Sequence, residues 1–301
     1  VTPSEAQTFS QYVSGVTIQN LLPTQTTVVA TYYKQDGSIG GTTTDTIDGY
    51  GVKDYATVPV DTGFKGSLVL SSGNQIGAVS TLRGDNKGRG AYTGATMGAQ
   101  SVTLPILMKN WGSSNWDTWF AVQNVSSEEA TVEVDYAACP DSVDDSATIP
   151  PNSMVTFDQD DEACLTDPDN KLMTSATVTS DQDIAVVVVQ ESSVVNSSLV
   201  SSGFAGDGST EPVIPLVNAN NPTKTGWRTA ISIFNQGDLS TDVTLTYIRT
   251  DGSTCEESHT INSKQSVGFA GNNLIIGTPD PADLTCPIGE KLVGVAYVSE
   301  N

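Results

Sequence analysis

One pattern constrains this chain more than any other. The stretch from Tyr12 to Tyr32 is written again from Trp116 to Tyr136 and a third time from Trp227 to Tyr247, without a gap. Each copy opens on an aromatic and passes through two apolar positions spaced two apart: Val16 and Ile18, Phe120 and Val122, Ile231 and Ile233. Each then reaches an asparagine, Asn20, Asn124 or Asn235. After a polar turn comes a second alternating run: Val28, Ala30, Tyr32; Val132, Val134, Tyr136; Val243, Leu245, Tyr247. Successive side chains of a strand point to opposite faces, so apolar residues at every second position bury one face. Two such runs across a short Asn-containing turn predict two antiparallel strands joined as in a hairpin. Three copies predict three modules of roughly 100 residues, the size of a small domain.

The fold class that follows is all-β, with three tandem immunoglobulin-like antiparallel β-sandwich modules of about seven strands each. Their boundaries fall at residues 1–97, 98–207 and 208–301. Composition agrees: 37% of residues are hydrophobic and only 16% charged. Abundant Thr and Val suit a pleated surface with one polar face. Thirty-five acidic against 13 basic residues give a net charge of −22, a field that repels phosphate backbones and disfavours nucleic acid. The same charge suits a secreted protein kept soluble by repulsion, with divalent cations or basic surfaces as its natural complements. No apolar run reaches the length of about 18 residues that would suggest membrane insertion. Val1-Thr-Pro-Ser-Glu5 has neither a basic nor an apolar leader region, which fits a processed chain.

The four cysteines sit in matching places. Cys139 and Cys255 follow the second repeat strand of modules 2 and 3, and Cys164 and Cys286 precede the later strand block of the same modules. The simplest pairing is Cys139 with Cys164 and Cys255 with Cys286, each stabilising by roughly 3 kcal/mol through loop closure. C-x-x-C spacing and histidine partners are missing, so disulfides outrank metal binding and imply an oxidising, extracellular compartment.

Two further blocks recur. Phe64 to Val79 and Leu172 to Val187 read as strand, tight turn, strand, with Gly73-Asn74 and Asp181-Gln182 at the turn. Leu104-Pro105-Ile106-Leu107 and Ile214-Pro215-Leu216-Val217 read as edge strands leading into modules 2 and 3, because proline cannot donate to a ladder. The Gly-rich run from Arg83 to Gly94 reads as an inter-module connection. In module 3 the strand from Leu292 has no following partner like Ile76–Val79 or Ile184–Val189. The expectation is therefore a module 3 without its closing strand, with an apolar groove flanked by Leu292, Val298 and Asn301. A strand from another copy, carrying Val1, Ala6 and Phe9, would fill it and join copies head to tail.

Chemistry is sparse. The single histidine, His259, lies in a probable strand, and no G-x-S-x-G elbow, H-E-x-x-H or phosphate-binding glycine loop occurs, so the expectation is no enzymatic activity. No cofactor is expected beyond a possible structural calcium. Its candidate ligands are Asp158, Asp160, Asp161, Glu162, Asp167 and Asp169, hard oxygen donors bracketing Cys164, with Asp141, Asp144 and Asp145 in the loop that the disulfide would bring near. Trp111 and Trp119 are candidates for a sugar-binding platform, whereas Trp116 and Trp227 hold the repeat position of Tyr12 and read as packing. Asn124 and Asn196 head glycosylation sequons.

The residues Leu104–Leu107, Trp116, Val122–Asn124, Thr131–Tyr136 and Gly66–Ser72 together resemble the tandem Ig-like modules of large bacterial extracellular and cell-surface structural proteins. That resemblance implies sandwich modules used for building and spacing, with no active site to carry over. Module 1 lacks the cysteines and the lead-in strand, and module 3 the closing strand. The function expected is a secreted structural subunit of an extracellular filament, sheath or surface layer, whose partners are copies of itself. The alternative is an adhesive or carbohydrate-binding stalk of a larger cell-surface protein, with a glycan as partner.

Overall fold

The structure is a computed structural model that describes residues 12–84, 88–139, 143–165, 172–192, 194–206, 208–219, 229–269 and 292–300. It is all-β, with antiparallel pairing in every ladder. The chain divides into two compact units, Val1–Gly206 and Asp207–Asn301. The first unit holds two of the three repeats.

The first repeat comprises β1 (Tyr12–Asn20), β2 (Thr26–Lys34), β3 (Ile39–Ile47), β4 (Val52–Tyr55), β5 (Gly66–Ser72), β6 (Ile76–Gly84) and β7 (Arg89–Thr93). They form one sheet in the order β4-β1-β6-β7 and another in the order β3-β2-β5. Val16 and Ile18 from the first sheet meet Val28, Ile47, Leu68 and Leu70 from the second in one core. β7 falls within the glycine-rich run that the sequence reads as a connection. Its glycines serve close approach instead: a Cβ on Gly88 or Gly90 would overlap Ser198 or Val200 of the second repeat.

The second repeat comprises β8 (Ala99–Lys109), β9 (Asp117–Asn124), β10 (Ala130–Tyr136), β11 (Asp145–Ile149), β12 (Met154–Asp158), β13 (Leu172–Ser192), β14 (Ser197–Ser202) and β15 (Phe204–Ala205). These eight strands make a single sheet, nearly closed into a barrel. The cause is β13. Its first half pairs with β10 and β8, its second half with β9 and β14, and the register shifts between Thr179 and Ile184. Asp181-Gln182, expected at a turn, lies inside this unbroken strand. The core is filled by fully buried Leu104, Leu107, Phe120, Val132, Val134, Tyr136 and Ile184, with Phe120 and Phe157 stacked at 5.2 Å. Burying each such side chain contributes about 1.5–3 kcal/mol.

The second unit comprises β16 (Val213–Ala219), β17 (Ile231–Phe234), β18 (Thr241–Arg249), β19 (Thr254–Ile261), β20 (Ser266–Phe269) and β21 (Leu292–Glu300). It has a sheet in the order β16-β21-β18-β19 and a two-stranded sheet, β17-β20. Val217, Val243, Leu245, Tyr247, Phe269, Ala296 and Val298 share its core.

The two strands of the signature never pair with each other. β1 pairs with β4 and β6 while β2 pairs with β3 and β5; β9 and β10 share only β13, on its two different halves, and β17 and β18 take separate partners. The hairpin expectation is thus replaced by an arch that carries the chain across the core. An arch leaves inward carbonyls that no ladder satisfies, and such groups need a donor. The recurring asparagine supplies it. The Nδ2 groups of Asn20, Asn124 and Asn235 donate to the carbonyl four residues on (Thr24, Glu128, Leu239; 2.7, 2.6 and 2.7 Å). They also donate to the last carbonyl of the third repeat strand (Ile47, Ile149, Ile261; 3.3, 3.0 and 3.0 Å). Each Oδ1 accepts the N–H two residues on, from Leu22, Ser126 and Gly237.

The prolines behave as their chemistry requires. Pro105 and Pro215 sit at register shifts in β8 and β16, where the ladder asks for no donor.

Candidate functional site

Three places attract attention: the acidic corner beside the disulfide, the aromatic end of the second repeat, and the edge of β17.

At the acidic corner, Cys139 and Cys164 form the expected disulfide, with Cα atoms 5.4 Å apart. Cys255 is also disulfide-bonded, and Cys286 lies outside the described residues. Asp158 ends β12 and caps a single 3-10 turn, Gln159–Asp161, by accepting the Asp160 N–H at 3.1 Å. Burial, with Asp160, Asp161 and Asp117 nearby, pushes Asp158 up to about 6. Burial also lifts Glu162 to about 7, helped by a hydrogen bond with Asp145 and by the charges of Asp145, Asp144 and Asp161. Asp144 accepts the Tyr136 N–H at 2.7 Å. Among the described residues the one grouping of three ligand-type side chains is Cys139, Asp144 and Cys164, and the disulfide consumes both sulfurs. Asp158, Asp160, Asp161 and Glu162 do not converge as a calcium shell, because Asp158 turns back to cap its own backbone while Glu162 turns to Asp145. Asp141, Asp167 and Asp169 lie outside the described residues.

At the aromatic end, Trp119 is not free for a ligand. Its ring meets Tyr12 edge-on at 5.6 Å, so the first aromatic of the first repeat packs on the second repeat. Trp111 and Trp116 bridge each other through two backbone hydrogen bonds of 2.8 and 2.9 Å around a tight loop, and both are half-buried. Ser153 adds to the junction by donating to the carbonyls of Lys34 and Gln35 at 3.0 and 2.9 Å. Asn124 cannot carry a glycan in this fold, since it is fully buried with its Nδ2 spent on three carbonyls. Asn196 is exposed in a turn at a φ of 49°, a backbone conformation asparagine tolerates. His259 is structural in its contacts: its Nε2 lies 2.9 Å from the fully buried Glu257, and its ring meets Phe269 edge-on at 4.8 Å.

At the third place, β17 pairs with β20 alone among the described residues. The corresponding strands of the other repeats are covered on both sides. β1 lies between β4 and β6, with Asn20 opposite Ile76, and β9 lies between β12 and β13, with Asn124 opposite Ile184. Of the expected assembly residues, Val298 is a core residue of β21 whose N–H donates to Pro212, not part of an open groove. Leu292 lies in β21 and pairs with Ala219. Val1, Ala6, Phe9 and Asn301 lie outside the described residues.

No protein-family model matches the chain, and no curated protein matches it. Among solved structures, a Thermotoga maritima protein, 1070, is 16% identical over 37% of this chain and 98% of its own, with a TM-score of 0.30. A weak structural neighbour is the tetra-tandem repeat in the extending region of a large adhesion protein, 11% identical over all of this chain and 72% of its own, with a TM-score of 0.15. Neither likeness is close enough to carry a fold or a function across. Among the described residues no helix is long and apolar enough to cross a membrane. The Cys139–Cys164 disulfide suits an oxidising environment.

Proposed function

We propose that the chain carries one immunoglobulin-like sandwich plan three times over and serves as a building and spacing element of an extracellular, cell-surface structural protein. Copies join head to tail by donation of a strand from one to the next. The observation that carries this reading is the arch written three times, with a buried asparagine closing the same carbonyl in each repeat, as in a module used repeatedly along one chain. A donated strand is held by main-chain hydrogen bonds, with alternate side chains giving specificity. Such a contact is heterologous, so it propagates into a filament unless it closes on itself. The donor in this proposal is the segment 1–11.

The test is assembly. The purified chain should form polymers visible by negative-stain microscopy, and deletion of residues 1–11 should leave a folded species that sediments as a monomer. Monomers from the intact chain, or polymers undiminished by the deletion, would count against strand donation.

A further inference from the structure

On the outward face of the sheet β4-β1-β6-β7, a cavity of about 420 Å³ is lined by Thr17, Asp54, Tyr55, Thr81, Arg83 and Arg89, among others. That volume falls within the roughly 300–1,000 Å³ of small-molecule sites. Gly15 holds an outward position next to the cavity, where a Cβ would come within 2.8 Å of Thr81 Oγ1 and 2.9 Å of the Ala56 carbonyl. Arg83 and Arg89 face each other directly across the β6–β7 ladder. Like charges in that relation repel, and a chain with only 13 basic residues among 35 acidic ones has placed two of them there.

Neither arginine takes part in an ion pair among the described residues. Arg83 is anchored through Nη2 to the Ala56 carbonyl and Thr57 Oγ1, while its Nε is buried without a hydrogen-bond partner. Arg89 is exposed. The exposed guanidinium fork of Arg89, with the second positive charge of Arg83 across the ladder, suits a planar carboxylate, which accepts paired N–H donors and reduces the repulsion between the two arginines. Beside them stand groups that pair with hydroxyls: Thr81 and the Asp54 carboxylate, already accepting from Thr17 Oγ1 at 2.6 Å. We propose that this hollow binds a carboxylated sugar, a uronic acid unit of an acidic polysaccharide. The site lies on the first repeat and is independent of strand donation.

Calorimetric titration of the intact chain with a glucuronate-containing oligosaccharide, with its uncharged glucose counterpart and with inorganic sulfate tests the proposal. Saturable binding is expected for the uronate alone. Arg89→Gln should weaken it by roughly tenfold, the loss of one good polar contact. Because Arg89 is exposed and takes part in no ion pair among the described residues, that variant should melt no lower than the parent, which separates lost binding from lost folding; Arg83→Gln should weaken binding as well. No uronate binding, equal binding of the glucose compound, or binding unchanged in Arg89→Gln would overturn the site. Sulfate binding as tightly as the uronate would overturn the sugar assignment.

Discussion

The second repeat and the second unit use the same parts with different side-chain partners. Both have a lead-in strand bulged at a proline, an arch fixed by a buried asparagine, and a buried tyrosine in the next strand. In the second repeat the tyrosine, Tyr136, takes a hydrogen bond at 3.3 Å from the neutral amide of Gln159. In the second unit Tyr247 donates at 2.9 Å to Glu257, a fully buried carboxylate that also meets His259. The repeat therefore preserves backbone bookkeeping, the asparagine bonds above all, while side-chain partners drift. Groups that close buried carbonyls have no cheap substitute, whereas a buried phenol can be satisfied by several acceptors or donors.

The sharpest way to break this comparison is to remove the asparagines. Asn124→Ala removes the amide donor to Ile149 and one of two donors to each of Glu128, which keeps Ser126 Oγ, and Pro150, which keeps the Ser153 N–H; it is expected to cost roughly 3 kcal/mol, since an unsatisfied buried group costs about 1–3 kcal/mol and the other lost bonds add to it. Asn235→Ala loses the bonds to Leu239 and Ile261 at a 9%-exposed site and should cost less, about 2 kcal/mol. Hydrogen exchange read separately on the two units measures both. Losses below about 1 kcal/mol in each would mean that strand pairing, not the amide, holds the arch. Next in size is the disulfide. Replacing Cys139 and Cys164 by serine reopens a separation of 25 residues and should cost roughly 3 kcal/mol, all of it in the first unit. A urea midpoint that does not move would show that the corner is held by its packing around Leu165 instead.

Alternation made the strands legible: Val16, Ile18, Val28 and Tyr32 face the core as the period-two pattern requires. The same pattern was silent on partners. It says which face of β1 is buried, not which strand lies beside it, so an arch and a hairpin look alike in sequence. The one available signal was that all three turns carry asparagine at the same place, which reads locally as a turn residue but acts at long range through Ile47, Ile149 and Ile261. Glycines misled for a related reason. Gly88 and Gly90 suggest a loose connection, yet they clear space for β14. Trp119 promised an exposed platform because its partner, Tyr12, comes from a different repeat. The disulfide between Cys139 and Cys164 was legible because spacing alone favoured it. The arginine pair across β6 and β7 is not legible in the sequence, because the Gly-rich segment carries no strand alternation to place Arg83 opposite Arg89.

The smallest expected effect is on pH, and here the two units should respond with opposite sign. A carboxyl whose folded pKa lies above its unfolded value holds its proton more tightly in the fold. Its contribution is full below the unfolded value, 3.8 for Asp158 and 4.5 for Glu162, and is lost as pH rises through about 6 and about 7. The first unit should therefore gain stability on acidification from about pH 7 to about pH 5, by an amount on the order of 1 kcal/mol once solvent access to both side chains is discounted. Asp36 and Asp45 of the first repeat are lowered by hydrogen bonds and oppose this only nearer their own acid range. In the second unit the shifted carboxyl among the described residues is Asp251, lowered by its bond to Ser253, so acid removes its small contribution instead. Melting curves of the parent, Asp158→Asn and Glu162→Gln across this range decide the matter. If the acid gain of the first unit survives both substitutions, the corner beside the disulfide is not its source.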